Sequence, residues 1–181
     1  MNAPDTPSIE ALRQQAQEAF RAGEHDAALA HLREAIQLAP QDASLGLDLA
    51  RMTFQCGNLK DAQAILAQLP ESIQNSADAK ALSALFQFSA IIADAPSIET
   101  VQASLQQDPN DHESLYHLAT YLMLHHQVEE AMGCLLHSIR MDRGYKEERA
   151  KQLLLTIFAL LQNDHPQLVN AFRRQLQGTL Y

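Results

Sequence analysis

The sequence predicts an all-α solenoid of about five antiparallel helix pairs. Small and apolar residues recur at one spacing: Ala16 and Ala50, Gly23 and Gly57, Ala28 and Ala62, and Leu32 and Leu66 each lie 34 residues apart. A period of that length in a helix-forming chain marks paired helices that must stack to bury their apolar faces. Between turn signals, apolar side chains follow helical spacing, and no alternating strand pattern interrupts them. Composition agrees, with 46% hydrophobic and 19% charged residues, as in a packed globular chain.

Residues 1–8 are polar and contain proline, and read as a linker or tail. Residues 9–70 hold two regular repeats. In the first, Ile9, Leu12, Ala16, Ala19 and Phe20 form one helix face, Ala22-Gly23-Glu24 forms the turn, and Ala28, Leu32, Ala35 and Ile36 precede a stop at Pro40. The second runs from Ala43 to Pro70, and the early proline shortens its last helix. Residues 71–109 are a degenerate repeat, with a long apolar helix from Ser76 to Ala93 and a second helix opened by Pro96. Residues 110–143 return to the regular pattern: Ala119 and Ala131 fall 69 positions after Ala50 and Ala62, two repeat lengths plus one. Residues 144–181 form a capping pair, with helices over Lys146 to Gln162 and Pro166 to Gln177. Ten helices in a single solenoid domain spanning 9–181 is the expectation.

This period resembles the tetratricopeptide repeat. The recurring alanines have a steric reason, since helices reach an axial separation of 8–10 Å only where facing side chains are small. Gly133, inside a predicted helix, costs about 1 kcal/mol relative to alanine, for which a close helix approach would compensate.

Charge limits the partners. The net charge is −9, with 6 basic and 18 acidic residues over 1–138 and 7 basic and 4 acidic residues over 139–181. The acidic part would repel phosphate, so no nucleic acid is expected, while the basic end could meet an acidic protein surface. No apolar run reaches a membrane span and the start lacks a signal-peptide pattern, so no membrane partner and a cytoplasmic address are expected. Cys56 and Cys134 are too far apart to suggest a redox pair, and read as free thiols.

Catalytic chemistry finds no support. His125 and His126 are neighbours that point about 100° apart on a helix, and no histidine pair has metal-ligand spacing, so no metal, cofactor or enzyme activity is expected. Glu129-Glu130 and Glu147-Glu148 read as helix-dipole acids. The inner surface carries more information. Taking Ile9, Ala43 and His112 as equivalent starts, the first helices of the pairs would line a groove with Arg13, Gln17, Phe20, Leu47, Arg51, Phe54, Tyr116, Thr120 and Met123. Aromatics, a methionine and two arginines suit an apolar or helical peptide carrying an occasional carboxylate. Some repeat domains clamp the acidic tail of heat-shock chaperones with Lys and Asn at such places; Leu47, Asp48 and Tyr116 disfavour that partner.

On the last helix Leu168, Val169, Phe172 and Leu176 form one apolar stripe, extended by Leu180 if the helix passes through Gly178. Arg174 and Tyr181 then face water, and with Arg173 are candidate docking residues.

The acidic degenerate array, the Asp108-Pro109-Asn110-Asp111 step, Glu129-Glu130-Ala131, the basic turn from Arg140 to Gly144 and the ending from Phe172 to Tyr181 together resemble the C-terminal domain of the bacterial YbbN (CnoX) co-chaperones. That resemblance covers nearly the whole chain. It implies a holdase module that binds unfolded or partly folded client proteins and docks on a chaperonin or other foldase. Family members join such repeats to an N-terminal thioredoxin-like domain. This chain has neither that domain's β/α pattern nor a CxxC, so no redox activity carries over and an excised C-terminal half is expected. A free-standing scaffold assembling one specific complex is the alternative.

Overall fold

The computed structural model describes residues 8–146 and 148–180, and among these it contains eleven helices and no strand. They are α1 (Ile9–Arg21), α2 (His25–Leu38), α3 (Ala43–Gln55), α4 (Leu59–Gln68), α5 (Glu71–Gln74), α6 (Ala77–Ala93), α7 (Ile98–Gln107), α8 (His112–Leu124), α9 (Val128–Met141), α10 (Arg149–Leu161) and α11 (Pro166–Leu180). The fold is of the all-α repeat-solenoid class. No single described helix is long and apolar enough to cross a membrane.

Small residues sit where the period places them: Ala16, Ala28, Ala50, Ala62, Ala119 and Ala131 are all fully buried. The turns inside the three regular pairs share one hydrogen-bonded form. Gly23 N donates to Phe20 O and Glu24 N to Ala19 O, Gly57 N to Phe54 O and Asn58 N to Thr53 O, and His126 N to Met123 O and Gln127 N to Leu122 O. This is the Schellman arrangement, which satisfies the last carbonyls of a helix and requires a left-handed residue. Gly23 and Gly57 supply it with φ of 82° and 85°, and His126 supplies it with φ of 60°.

Four expectations need correction. The one-turn helix α5 raises the count from ten to eleven, because Pro70 caps a fresh turn and the Gln74 amide donates to the open carbonyls of Ala67 and Leu69 at 3.1 and 2.7 Å. Pro96 does not open α7; Ser97 caps it, its hydroxyl accepting from Thr100 N. Helix α10 starts at Arg149 instead of Lys146, since Lys146 and Glu148 have φ of 45° and 62°, which a right-handed helix excludes. Gly133 has no close neighbour, and a Cβ there would meet nothing within 4 Å.

The chain divides into two compact units, the first ending at Phe86 and the second beginning at Gln87. The boundary falls in the degenerate repeat, whose α7 buries only Val101 and so builds little core. The first unit holds three apolar clusters, centred on Leu12 and Leu45, on Ala16 and Leu32, and on Ala50, Leu66 and Phe86. In the second, Met132, Leu135, Leu136 and Ile139 of α9 are buried, as are Leu153, Leu154, Ile157 and Phe158 of α10 and Val169, Phe172 and Leu176 of α11.

Candidate functional site

Helices α1 and α3 of the first unit enclose a cleft of about 340 Å³. Arg13, Gln17, Phe20 and Arg21 reach it from α1, and Asp48, Arg51, Met52 and Gln55 from α3. Each set follows helical three- and four-residue steps, so each is a single face. Leu32 of α2 and Met52 form an apolar floor.

Arg13 joins the two walls. Asp42 caps α3, accepting from Ser44 N at 3.1 Å and from Ser44 Oγ at 2.6 Å. The same Ser44 oxygen accepts from Arg13 Nη2, which also lies 3.2 Å from Asp48 Oδ2. Arg13 Nε is buried without a hydrogen-bond partner. Burial raises the Asp48 carboxyl above its ordinary range, outweighing the attraction of Arg13 and Arg51. The hydrogen bond from Ser44 holds Asp42 below its own, against a small effect of burial. Arg51 and Arg21 are exposed, and neither has an ion pair among the described residues. The cleft therefore presents two unpaired guanidinium groups beside the Phe20 ring.

Of the nine residues assigned to a groove, the cleft gathers Arg13, Gln17, Phe20 and Arg51. Leu47 and Phe54 instead turn into the core of the first unit, where Phe54 meets Phe86 ring to ring at 5.0 Å. Asp48 and Gln55, one position further along α3, face the cleft in their place. The repeat period locates α3 but does not resolve neighbouring positions 100° apart around it.

The three groove residues of the second unit offer almost no surface. Thr120 is fully buried and its hydroxyl donates to Tyr116 O at 3.0 Å; Met123 is buried beside it. Tyr116 is 9% exposed and lies under the Arg149 guanidinium, 4.2 Å from ring centroid to Cζ. Glu113 of α8 holds that arrangement, since its Oε2 accepts from both Lys146 and Arg149 and its Oε1 lies 3.6 Å from His117. Tyr145 stacks on His112 at 4.4 Å, and His112 Nδ1 contacts Ser138 Oγ at 2.8 Å. Burial pushes Glu113 up, yet the hydrogen bonds from Lys146 and Arg149 outweigh it and leave the carboxyl below the ordinary range. Burial lowers His117, against the pull of Glu113.

The docking candidates Arg173 and Arg174 are exposed on α11, Arg174 away from buried Val169, Phe172 and Leu176 and Arg173 at the edge of that stripe. Arg173 lies 5.6 Å from the Phe158 ring centroid. The helix does continue through Gly178 to Leu180. Tyr181 lies outside the described residues. Among the described residues no group of three His, Cys, Asp or Glu side chains is placed to hold a metal ion.

Two tetratricopeptide repeat families match the chain, one over residues 19–86 and the other over residues 91–181. An uncharacterized protein of Haemophilus influenzae is 30% identical over 169 residues, covering 93% of this chain and 76% of the relative. Among solved structures, a domain of unknown function from Vibrio parahaemolyticus is 25% identical, covers 95% of this chain and 99% of that one, and superposes with a TM-score of 0.40. The MamA protein is 16% identical over 94% of this chain and 91% of its own, with a TM-score of 0.43.

Proposed function

The chain belongs to the tetratricopeptide repeat family, and from that premise we propose that it is a protein-interaction module working through the cleft between α1 and α3. One observation carries the choice of surface: this cleft is lined on both walls by exposed polar and cationic side chains, whereas the matching face of α8 is covered by Arg149. A ligand segment with an apolar side chain for Phe20 and a carboxylate for Arg51 and Arg21 fits it.

The finer reading is a co-chaperone module of the YbbN (CnoX) kind, acting in the cytoplasm on unfolding clients and passing them to a chaperonin or other foldase. What supports it is the basic turn from Arg140 to Gly144 and the ending from Phe172 to Tyr181, together with the exposure of Arg173 and Arg174. The partners are proteins, with no nucleic acid and no membrane. Arg173, Arg174 and Tyr181 are the proposed docking residues.

Suppression of aggregation tests this reading. The chain should reduce light scattering by several unrelated, chemically denatured proteins, and Arg51→Ser with Arg21→Ser should weaken that effect while leaving the melting temperature unchanged. Arg13 is the wrong probe, because it also ties α1 to Ser44 and Asp48. Binding of one protein alone, with no effect on the others, would replace the holdase by a scaffold. Chaperonin affinity undiminished by Arg173→Glu with Arg174→Glu would remove the docking assignment.

A further inference from the structure

A second groove of about 550 Å³ runs between α2 and α4, with α3 as its floor, and its lining shares no residue with the arginine cleft. Asp26, Leu29 and Arg33 of α2 line one wall and Asp61, Ala64 and Gln68 of α4 the other, each set at three- and four-residue steps along its helix. The groove is therefore graded along its length, with two carboxylates at one end, an aliphatic middle and a guanidinium beside an amide at the other. Asp26 and Arg33 are seven residues apart on one helix, a separation of about 10 Å. Both are exposed and neither has an ion pair among the described residues.

The floor adds a second, independent feature. Thr53 is 4% exposed and its hydroxyl has no hydrogen-bond partner. A buried polar group is normally satisfied, and a threonine within a helix commonly bonds a carbonyl one turn back, as Thr120 does. The repeat does not require a hydroxyl here, since Ala19 stands 34 positions earlier and Leu122 stands 69 later.

We propose that this groove binds an extended peptide segment carrying a basic and an acidic side chain three residues apart with aliphatic side chains between them. In the extended polyproline II form a chain advances about 3.1 Å per residue with three residues per turn, so side chains three apart share one face at about 9 Å, close to the 10 Å between Asp26 and Arg33. The basic side chain pairs with Asp26 and Asp61, the aliphatic ones rest against Leu29, Leu49 and Ile65, and the acidic one meets Arg33. A peptide backbone group then satisfies Thr53. The charge gradient excludes segments of one sign, which is how rim charges select partners. Independent of the arginine cleft, this site can hold a partner while that cleft is occupied.

Three acetylated and amidated tetrapeptides test the proposal, Lys-Leu-Leu-Asp, Lys-Leu-Leu-Lys and Asp-Leu-Leu-Asp, with binding followed by fluorescence anisotropy of a labelled terminus. The mixed-charge peptide should bind best. Asp26→Lys should shift preference to the acidic peptide and Arg33→Glu to the basic one, each by about fivefold. Thr53→Val should weaken mixed-peptide binding severalfold without lowering the melting temperature. Because Cys56 lines the groove and Cys134 lies in the other unit, bound peptide should slow alkylation of Cys56 alone. An order of preference unchanged by both charge variants, or equal protection of the two cysteines, would overturn the proposal. Loss of binding in Arg51→Ser with Arg21→Ser would assign the peptide to the other cleft.

Discussion

The Arg149 guanidinium lies over the Tyr116 ring at 4.2 Å, and the same guanidinium donates to Glu113. One side chain thus fastens the start of α10 to the face of α8. Cation–π contact and an ion pair at a partly buried site together stabilise by about 1 to 2 kcal/mol. Arg149→Ala should lower the stability by that amount, measured by thermal unfolding. Arg149→Lys should recover only part of it, because an ammonium group lacks the flat face that stacks. Tyr116→Ala should likewise act on stability and leave peptide affinity of the first unit unchanged.

Glu113 makes this fastening sensitive to acid. Its carboxyl is held below the ordinary range by Lys146 and Arg149, which prevail over burial. A depressed folded-state value means that the stabilisation is fully present above the unfolded value of about 4.3 and is lost as pH falls through the folded one. With the side chain 34% exposed, solvent screening holds the effect to on the order of 1 kcal/mol. Glu113→Gln should therefore melt earlier than the parent at pH 7. The gap should narrow below about pH 4.3; a gap independent of pH would show that Glu113 acts through packing alone.

Much of the fold is legible in the sequence, and the limits have physical causes. Recurrence of Ala16, Ala50 and Ala119 reports close helix contacts, which depend on local side-chain size and so survive in the order of residues. The site was only half legible. Whether Leu47 or Asp48 faces the cleft depends on a 100° step around α3, which is smaller than the period resolves. Apolar Leu47 beside charged Asp48 was the available signal. The cover on Tyr116 comes from Arg149, which follows left-handed Lys146 and Glu148, and no repeat rule anticipates those conformations. Likewise α5 arises from a single proline and one glutamine amide.

Ala50 and Ala119 should tolerate no bulk. Both are fully buried, so Ala50→Glu or Ala119→Glu inserts a long side chain and a charge with no partner. Overpacking alone costs about 1 to 3 kcal/mol and the buried charge adds to it. Circular dichroism should show loss of cooperative unfolding in each variant. Because the two alanines lie in different units, each substitution should damage its own unit first.

Gly133 lies in α9 with open space around it, and a Cβ there would meet nothing within 4 Å. No close approach explains it. Gly133→Ala should therefore raise stability by about 0.5 to 1 kcal/mol, through reduced freedom of the unfolded chain and better helix propensity. A fall in melting temperature would mean that the folded chain does not accommodate a Cβ at this position.

His126 stands where Gly23 and Gly57 stand in the other two regular pairs, and all three close the same pair of turn hydrogen bonds. Only the histidine carries a Cβ into the left-handed region, which strains an L-residue by about 1 to 2 kcal/mol. Its side chain is exposed, so little packing is lost on removal. Glycine's greater freedom in the unfolded chain opposes the gain by about 0.5 to 1 kcal/mol. His126→Gly should still stabilise the second unit, by about 0.5 to 1 kcal/mol as the difference. The reciprocal change, Gly57→Ala, should destabilise the first unit by about 1 kcal/mol through backbone strain alone, since a Cβ at that position touches nothing. Opposite signs for the two substitutions in thermal unfolding are the expected result. A histidine that proves more stabilising than glycine would show that His126 makes an interaction beyond the turn.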